Sequence, residues 1–127
     1  MTNKKSKIFI VDDDEMLSMM LSDHLLKNSL YEVHCFPTGE DCLENLNLEP
    51  DIIILDFNLN SVYPDASNGL KILQEIKKRN KKAMVIMYSS QEQYGIALQT
   101  IGKGALEYVI KDKEAFAKIE EIVKNIL

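Results

Sequence analysis

Asp12, Asp13, Asp56, Ser89 and Lys111 are the residues of this chain that could do chemistry together, because each stands where an apolar run stops. Ile8-Phe9-Ile10-Val11 runs into Asp12-Asp13-Asp14, and Ile52-Ile53-Ile54-Leu55 into Asp56. Val85-Ile86-Met87-Tyr88 runs into Ser89-Ser90, and the segment from Leu106 to Ile110 into Lys111. Three carboxylates drawn into one cleft repel one another, and a cation relieves that repulsion. A hard divalent ion such as Mg²⁺ takes oxygen ligands and keeps several waters, which leaves room for a phosphoryl group. An ammonium at Lys111 and a hydroxyl at Ser89 suit phosphoryl oxygens. A carboxylate can itself be the nucleophile that accepts phosphate. The set fits an aspartyl-phosphate site better than a serine-triad hydrolase, because neither His24 nor His34 sits at a strand end.

For these residues to meet, the apolar runs must lie side by side. Lys7 to Val11, Ile52 to Leu55 and Ala83 to Tyr88 read as buried strands, and Leu106 to Ile110 as a further strand. Tyr31 to Phe36 alternates apolar with polar residues and reads as a half-exposed edge strand. Leu17, Met20, Leu21 and Leu25 recur at helical spacing from Glu15 to about Asn28. Thr38-Gly39-Glu40-Asp41 is a capped helix start running to about Leu48. Further helices are expected around Leu70, Leu73 and Ile76, from Gln91 to Lys103, and over Phe116, Ile119, Ile122, Val123 and Ile126. Five strands interleaved with five helices imply a parallel sheet covered on both faces, with right-handed crossovers. Ligands bind such sheets outside the carboxyl ends of the strands. The polar strand ends stand there.

The chain has 127 residues, which suits one domain, 1–127. Its hydrophobic and charged fractions, 46% and 28%, are those of a globular protein. A net charge of −5 argues against a nucleic-acid binder. No apolar run approaches the ~20 residues that would span a bilayer, and the N-terminus lacks the apolar stretch of a signal peptide. Cys35 and Cys42 have no partner histidines at ligand spacing, so neither zinc nor a disulfide scaffold is indicated. A reduced, cytoplasmic domain is expected.

The four motifs, with Gly104-Ala105 ahead of the last strand, occur in the order of the receiver domains of two-component response regulators, which this chain resembles over essentially its whole length. The resemblance implies an α/β fold, a doubly wound five-stranded parallel sheet of the flavodoxin-like kind with five helices. It also supplies the strand order 2-1-3-4-5. It implies that Asp56 is the phosphoacceptor, that Asp12, Asp13, Asp56 and the backbone carbonyl of Asn58 hold Mg²⁺, and that Lys111 contacts the phosphoryl group. Ser89 matches the switch hydroxyl and Tyr108 the aromatic that reorients with it. The implied partners are a sensor histidine kinase or histidine phosphotransfer protein and a downstream protein, with no nucleic acid and no membrane. A stand-alone monomer able to dimerise on phosphorylation is expected. It would catalyse only its own phosphorylation and dephosphorylation.

Each residue also has a plainer role. Asp14 reads as a helix cap. Met16, Met19 and Met20 read as core filling, Cys35 and Cys42 as buried or idle thiols, and both histidines as exposed structural residues. Tyr108 could be simple packing. Asp112 replaces the proline that commonly follows the lysine, so a trans Lys111–Asp112 bond is expected, with the Asp112 carboxylate capping the last helix. The loop from Leu59 to Asn68 is longer than usual for the family. It is either a tolerated insertion or a segment whose Val62 and Tyr63 select the kinase or shield the phosphoryl group. Asp12-Asp13-Asp14 also fits the start of haloacid-dehalogenase-type phosphatases, although Met16 stands where their pattern wants threonine or valine. A receiver used only for binding stays open as well. A nucleotide-binding flavodoxin-like domain is disfavoured because no glycine-rich loop follows the first strand.

Overall fold

The structure is a computed structural model that describes residues 5–60, 62, 65–90 and 94–127. Tyr63 of the long loop, and Gln91 at the expected start of the fourth helix, lie outside the described residues. In chain order the elements are β1 (Ser6–Val11), α1 (Glu15–Leu25), β2 (Tyr31–Phe36), α2 (Gly39–Glu44), a 3₁₀ turn (Leu46–Leu48), β3 (Ile52–Asp56), α3 (Gly69–Arg79), β4 (Met84–Ser89), α4 (Tyr94–Gly102), β5 (Glu107–Ile110) and α5 (Ala115–Ile126). The strands form one parallel sheet in the order β2-β1-β3-β4-β5, as the family resemblance implies.

Successive side chains of a strand point to opposite faces, and here both faces are apolar. Ile8, Ile10, Ile52, Ile54, Ile86, Tyr88 and Val109 pack with Leu21 and Leu25 of α1 and Ile119 and Val123 of α5. Phe9, Val11, Ile53, Leu55, Val85 and Met87 pack with Ile72, Leu73 and Ile76 of α3. The central strand β3 is buried along its whole length, which is why it reads as an unbroken aliphatic run.

Two helices depart from the sequence-based expectation. On α1 the sheet-facing stripe is Ser18, Leu21 and Leu25, whereas Met16, Met19 and Met20 are 68%, 59% and 51% exposed. Both stripes share the helical period, so periodicity alone cannot say which one faces the sheet. The methionines are a surface patch, not core filling. The helix also ends at Leu25, three residues short of Asn28. The expected helix from Thr38 to Leu48 breaks at Asn45, whose side-chain Nδ2 donates to the Asp41 carbonyl at 2.8 Å before the chain tightens into the 3₁₀ turn. Glu49, at φ 58°, then closes that turn.

Helix caps follow the sequence. Asp14 accepts from the Leu17 amide at 3.1 Å, Thr38 Oγ1 from Asp41 at 3.1 Å, and Asn68 Oδ1 from Lys71 at 3.0 Å. The expected Asp112 cap, by contrast, is not made: its Oδ1 takes the amide of Glu114, the residue before α5, at 2.9 Å, and no side chain of the described residues caps α5. No cis bond occurs among the described residues.

Gly69 brings α3 against the end of β3. Its amide donates to the Phe57 carbonyl at 2.7 Å. A Cβ there would collide with the Asp56 carbonyl oxygen and stand 2.6 Å from Phe57 Cα, both of them backbone atoms that cannot step aside. Gly69→Ala should therefore destabilise the fold by about 1–3 kcal/mol, as overpacking does. Gly95→Ala, which meets nothing within 4 Å, should be neutral or stabilise by up to about 1 kcal/mol. Urea unfolding of both variants checks the contrast.

Candidate functional site

Two-residue alternation brings Asp12, Asp56, Tyr88 and Lys111 to one sheet face, and Asp13 joins the cleft from the loop after β1. Asp56 ends β3 in the parity of Ile52 and Ile54, and it pairs with Tyr88 across the β3–β4 register. Asp12 and Lys111 stand one residue beyond β1 and β5, yet the ladder still holds them. The Asp12 amide donates to Phe36 O at 3.1 Å and the Lys111 amide to Ser89 O at 2.8 Å. They keep the parity of Ile10 and Val109. Asp12, Asp56, Tyr88 and Lys111 thus share the sheet face that α1 and α5 cover.

Asp12, Asp13 and Asp56 are buried, at 2%, 7% and 2% exposure. Each offers a carboxylate oxygen, and the three lie within 4.8 Å of one another. Lys111 Nζ sits among them, 3.0 Å from Asp12 Oδ2 and 3.2 Å from Asp56 Oδ1, and 4.9 Å above the centre of the Tyr88 ring. Backbone amides supply further positive charge. Asp12 Oδ1 accepts from Asp14 at 2.9 Å, Asp56 Oδ1 from Asn58 at 3.1 Å, and Asp13 Oδ2 from Val62 at 3.0 Å. One ammonium against three carboxylates leaves a net negative, all-oxygen cluster, and that donor set fits a hard divalent cation. Asn58 and Val62 also line this cleft, which measures about 450 Å³.

Burial and the charge of Asp12 push the Asp56 carboxyl up to about 7, against the pull of Lys111 and the Asn58 amide. Burial alone would lower Lys111, but the facing charges of Asp56 and Asp12 outweigh it and hold the ammonium above its ordinary value. The acid is reluctant to ionise and the base reluctant to neutralise.

A model of the response regulator receiver domain matches residues 8–124. The chain belongs to that family. It is 29% identical over 121 residues to the chemotaxis protein CheY of Bacillus subtilis, covering 94% of this chain and 97% of that one. It superposes on the BeF3-activated DrrB receiver domain with a TM-score of 0.79, at 29% identity, covering 96% and 97% of the two chains. With the Thermotoga maritima response regulator TrrA, in complex with Mg(2+)-BeF, the TM-score is 0.81 at 28% identity, covering 96% and 99%. Membership decides between the readings that Asp12-Asp13-Asp14 alone leaves open, in favour of a signalling domain of two-component systems over a phosphatase.

The receiver's expected site residues divide by sheet face. Asp12, Asp13, Asp56, Asn58 and Lys111 meet in one cleft. Ser89 is fully buried and shares the parity of Val85 and Met87, and Ser90 rather than Ser89 lines the cleft. Tyr108 pairs with Met87 and packs against the α3-side core. The two residues expected to switch therefore lie on the opposite face from Lys111. His24 and His34 stand apart from the cleft beside Glu120 and Glu32, at 3.0 and 2.7 Å. Cys42 is buried, but Cys35 is exposed rather than buried. Two participants escape a reading of the sequence. Tyr88 could have been found from its place one residue before Ser89 in a buried strand, whereas the Val62 amide carries no side-chain signal at all.

The raised Asp56 carboxyl couples stability to pH. Its value in the fold, about 7, lies above the ordinary 3.8, so the folded chain keeps a proton that the unfolded chain has released. The stabilisation from that proton is complete below pH 4 or so and is lost as pH rises through about 7. In the presence of a chelator, Asp56→Asn should gain stability over the native chain between pH 5 and pH 8, by on the order of 1–3 kcal/mol. Urea unfolding at the two pH values measures it, and a difference that does not grow with pH would contradict it.

Proposed function

We propose that Asp56 accepts a phosphoryl group from a phosphohistidine on a sensor histidine kinase or histidine phosphotransfer protein. A carboxylate oxygen of Asp56 attacks phosphorus in line. The new O–P bond forms as the N–P bond breaks, and the imidazole nitrogen keeps the electron pair. Oδ2 suits the attack, because Lys111 and the Asn58 amide both bond to Oδ1. Lys111 neutralises charge on the transferring group, and in such reactions positioning and electrostatics do most of the work. What supports this reading above all is the placement of Lys111 Nζ, 3.0 and 3.2 Å from two buried carboxylates, where a phosphoryl oxygen would meet it.

Asp12, Asp13, Asp56 and the Asn58 carbonyl would hold Mg²⁺, which supplies charge neutralisation to the phosphoryl oxygens. The likeness to TrrA, a chain in complex with Mg(2+)-BeF, favours that ion. Hydrolysis of the acyl phosphate resets the domain, with no separate substrate turned over. Ser89 and Tyr108 transmit the state of Asp56 to the outer surface of β5, where a downstream protein reads a shifted population. Residues 1–127 act as one receiver unit in the cytoplasm, where ATP charges the kinase histidine, and as a monomer that can dimerise on phosphorylation.

Intact-mass analysis after incubation with acetyl phosphate and Mg²⁺ tests the acceptor. The native chain should gain one phosphoryl mass and Asp56→Asn none; a gain at the native rate in the variant would overturn the assignment. For the metal, Asp13→Ala should weaken Mg²⁺ binding at least about tenfold. Asp14→Ala removes only a helix cap and should change it far less. Calorimetric titration gives the ranking.

A further inference from the structure

The long loop after Asp56 is tied down at defined points. It leaves β3 through Leu59, which is fully buried in the α3-side core. It returns through Ser67, whose amide donates to Glu40 Oε2 at 3.1 Å, and Asn68, which caps α3. Between these anchors, the Val62 side chain is 57% exposed, so its packing does not explain its position. Its backbone does: the Val62 N–H donates to Asp13 Oδ2 at 3.0 Å, across 49 residues of sequence.

Resting on the Mg²⁺ reading above, we infer that the Val62 N–H is a positioning group for Asp13, holding that carboxylate in place for the cation through a bond made by the extended loop. Asp12 is fixed by Lys111 and by the Asp14 amide, and Asp56 by Lys111 and the Asn58 amide. The Val62 amide gives the third carboxylate a corresponding restraint. Hydrogen-bonded partners behind a metal ligand set its orientation, and losing one typically weakens metal binding about 10–100-fold. The loop thus serves the site through the main-chain N–H of Val62, whatever its side chains do for a partner.

Val62→Pro removes the N–H, while Ala66→Pro stiffens the same loop and leaves that N–H in place. Mg²⁺ titration of the full chain by calorimetry should show a loss of about tenfold for Val62→Pro, and affinity within about twofold of native for Ala66→Pro. Independently of any metal, hydrogen exchange at the Val62 amide should be slow in the native chain and faster in Asp13→Ala. Equal losses in the two proline variants, native affinity in Val62→Pro, or Val62 exchange indifferent to Asp13→Ala would each overturn the inference. A native chain that takes no Mg²⁺ while its Val62 amide is protected by Asp13 would overturn the metal reading first, and this inference with it.

Discussion

Three carboxylates within 4.8 Å of one another in a buried cleft repel, and the carboxyl edge of the sheet is arranged around that repulsion. In water the charges would be screened. Here the surroundings are the aliphatic ends of β1 and β3, so the cost of ionisation is high, and Asp56 bears it as a carboxyl pushed up to about 7. Lys111 and three backbone amides offset part of the repulsion without cancelling it. A site fully neutralised by its own protein would attract no cation, and it is a cation, not the carboxylates, that would offset the charge of a phosphoryl group. The residual negative charge is what suits the cleft to a cation.

The sheet makes this arrangement possible through parity. Because adjacent parallel strands keep partner residues on one face, the register from Asp56 to Tyr88 to Val109 places the Lys111 side of β5 against the carboxylates. The same alternation sends Ser89 and Tyr108 to the other face, with Met87 between them in the register. One strand end thus serves two purposes. The face under α1 and α5 holds charge, while the face toward α3 holds the residues proposed to report it. A one-residue slip of β4 would exchange Tyr88 and Ser89 between the two faces.

Much of this was legible in the sequence. Unbroken aliphatic runs announced interior parallel strands, and the polar residues that ended them marked the site, because ligands bind such sheets outside the carboxyl ends of the strands. What was not legible depended on choices between equal patterns. The Met16, Met19, Met20 stripe has the same period as the buried stripe of α1, and only the packed sheet selects one. The break at Asn45 depends on a side-chain amide reaching back to Asp41, a competition that propensity does not resolve. Backbone donors such as the Val62 amide have no identity in a sequence. They appear only when chain geometry brings them to a charge.

That last class bears on how the segment after Asp56 differs from a short turn. Loop-closure entropy grows slowly with length, so added residues between β3 and α3 cost little in themselves. A segment merely tolerated would be expected to hang in solvent. The described residues of this one are held by a buried leucine, by the Asp13 and Glu40 carboxylates and by a helix cap, so Leu59, Val62, Ser67 and Asn68 are tied to the parts of the chain that set the site. Gly69 tightens the tie, since the absence of a Cβ lets α3 begin against the Asp56 backbone itself. Movement at Asp56 therefore cannot be isolated from the start of α3. On the proposed reading, a phosphoryl group on Asp56 would bear on the start of α3 by direct contact, in addition to any relay through Ser89 and Tyr108.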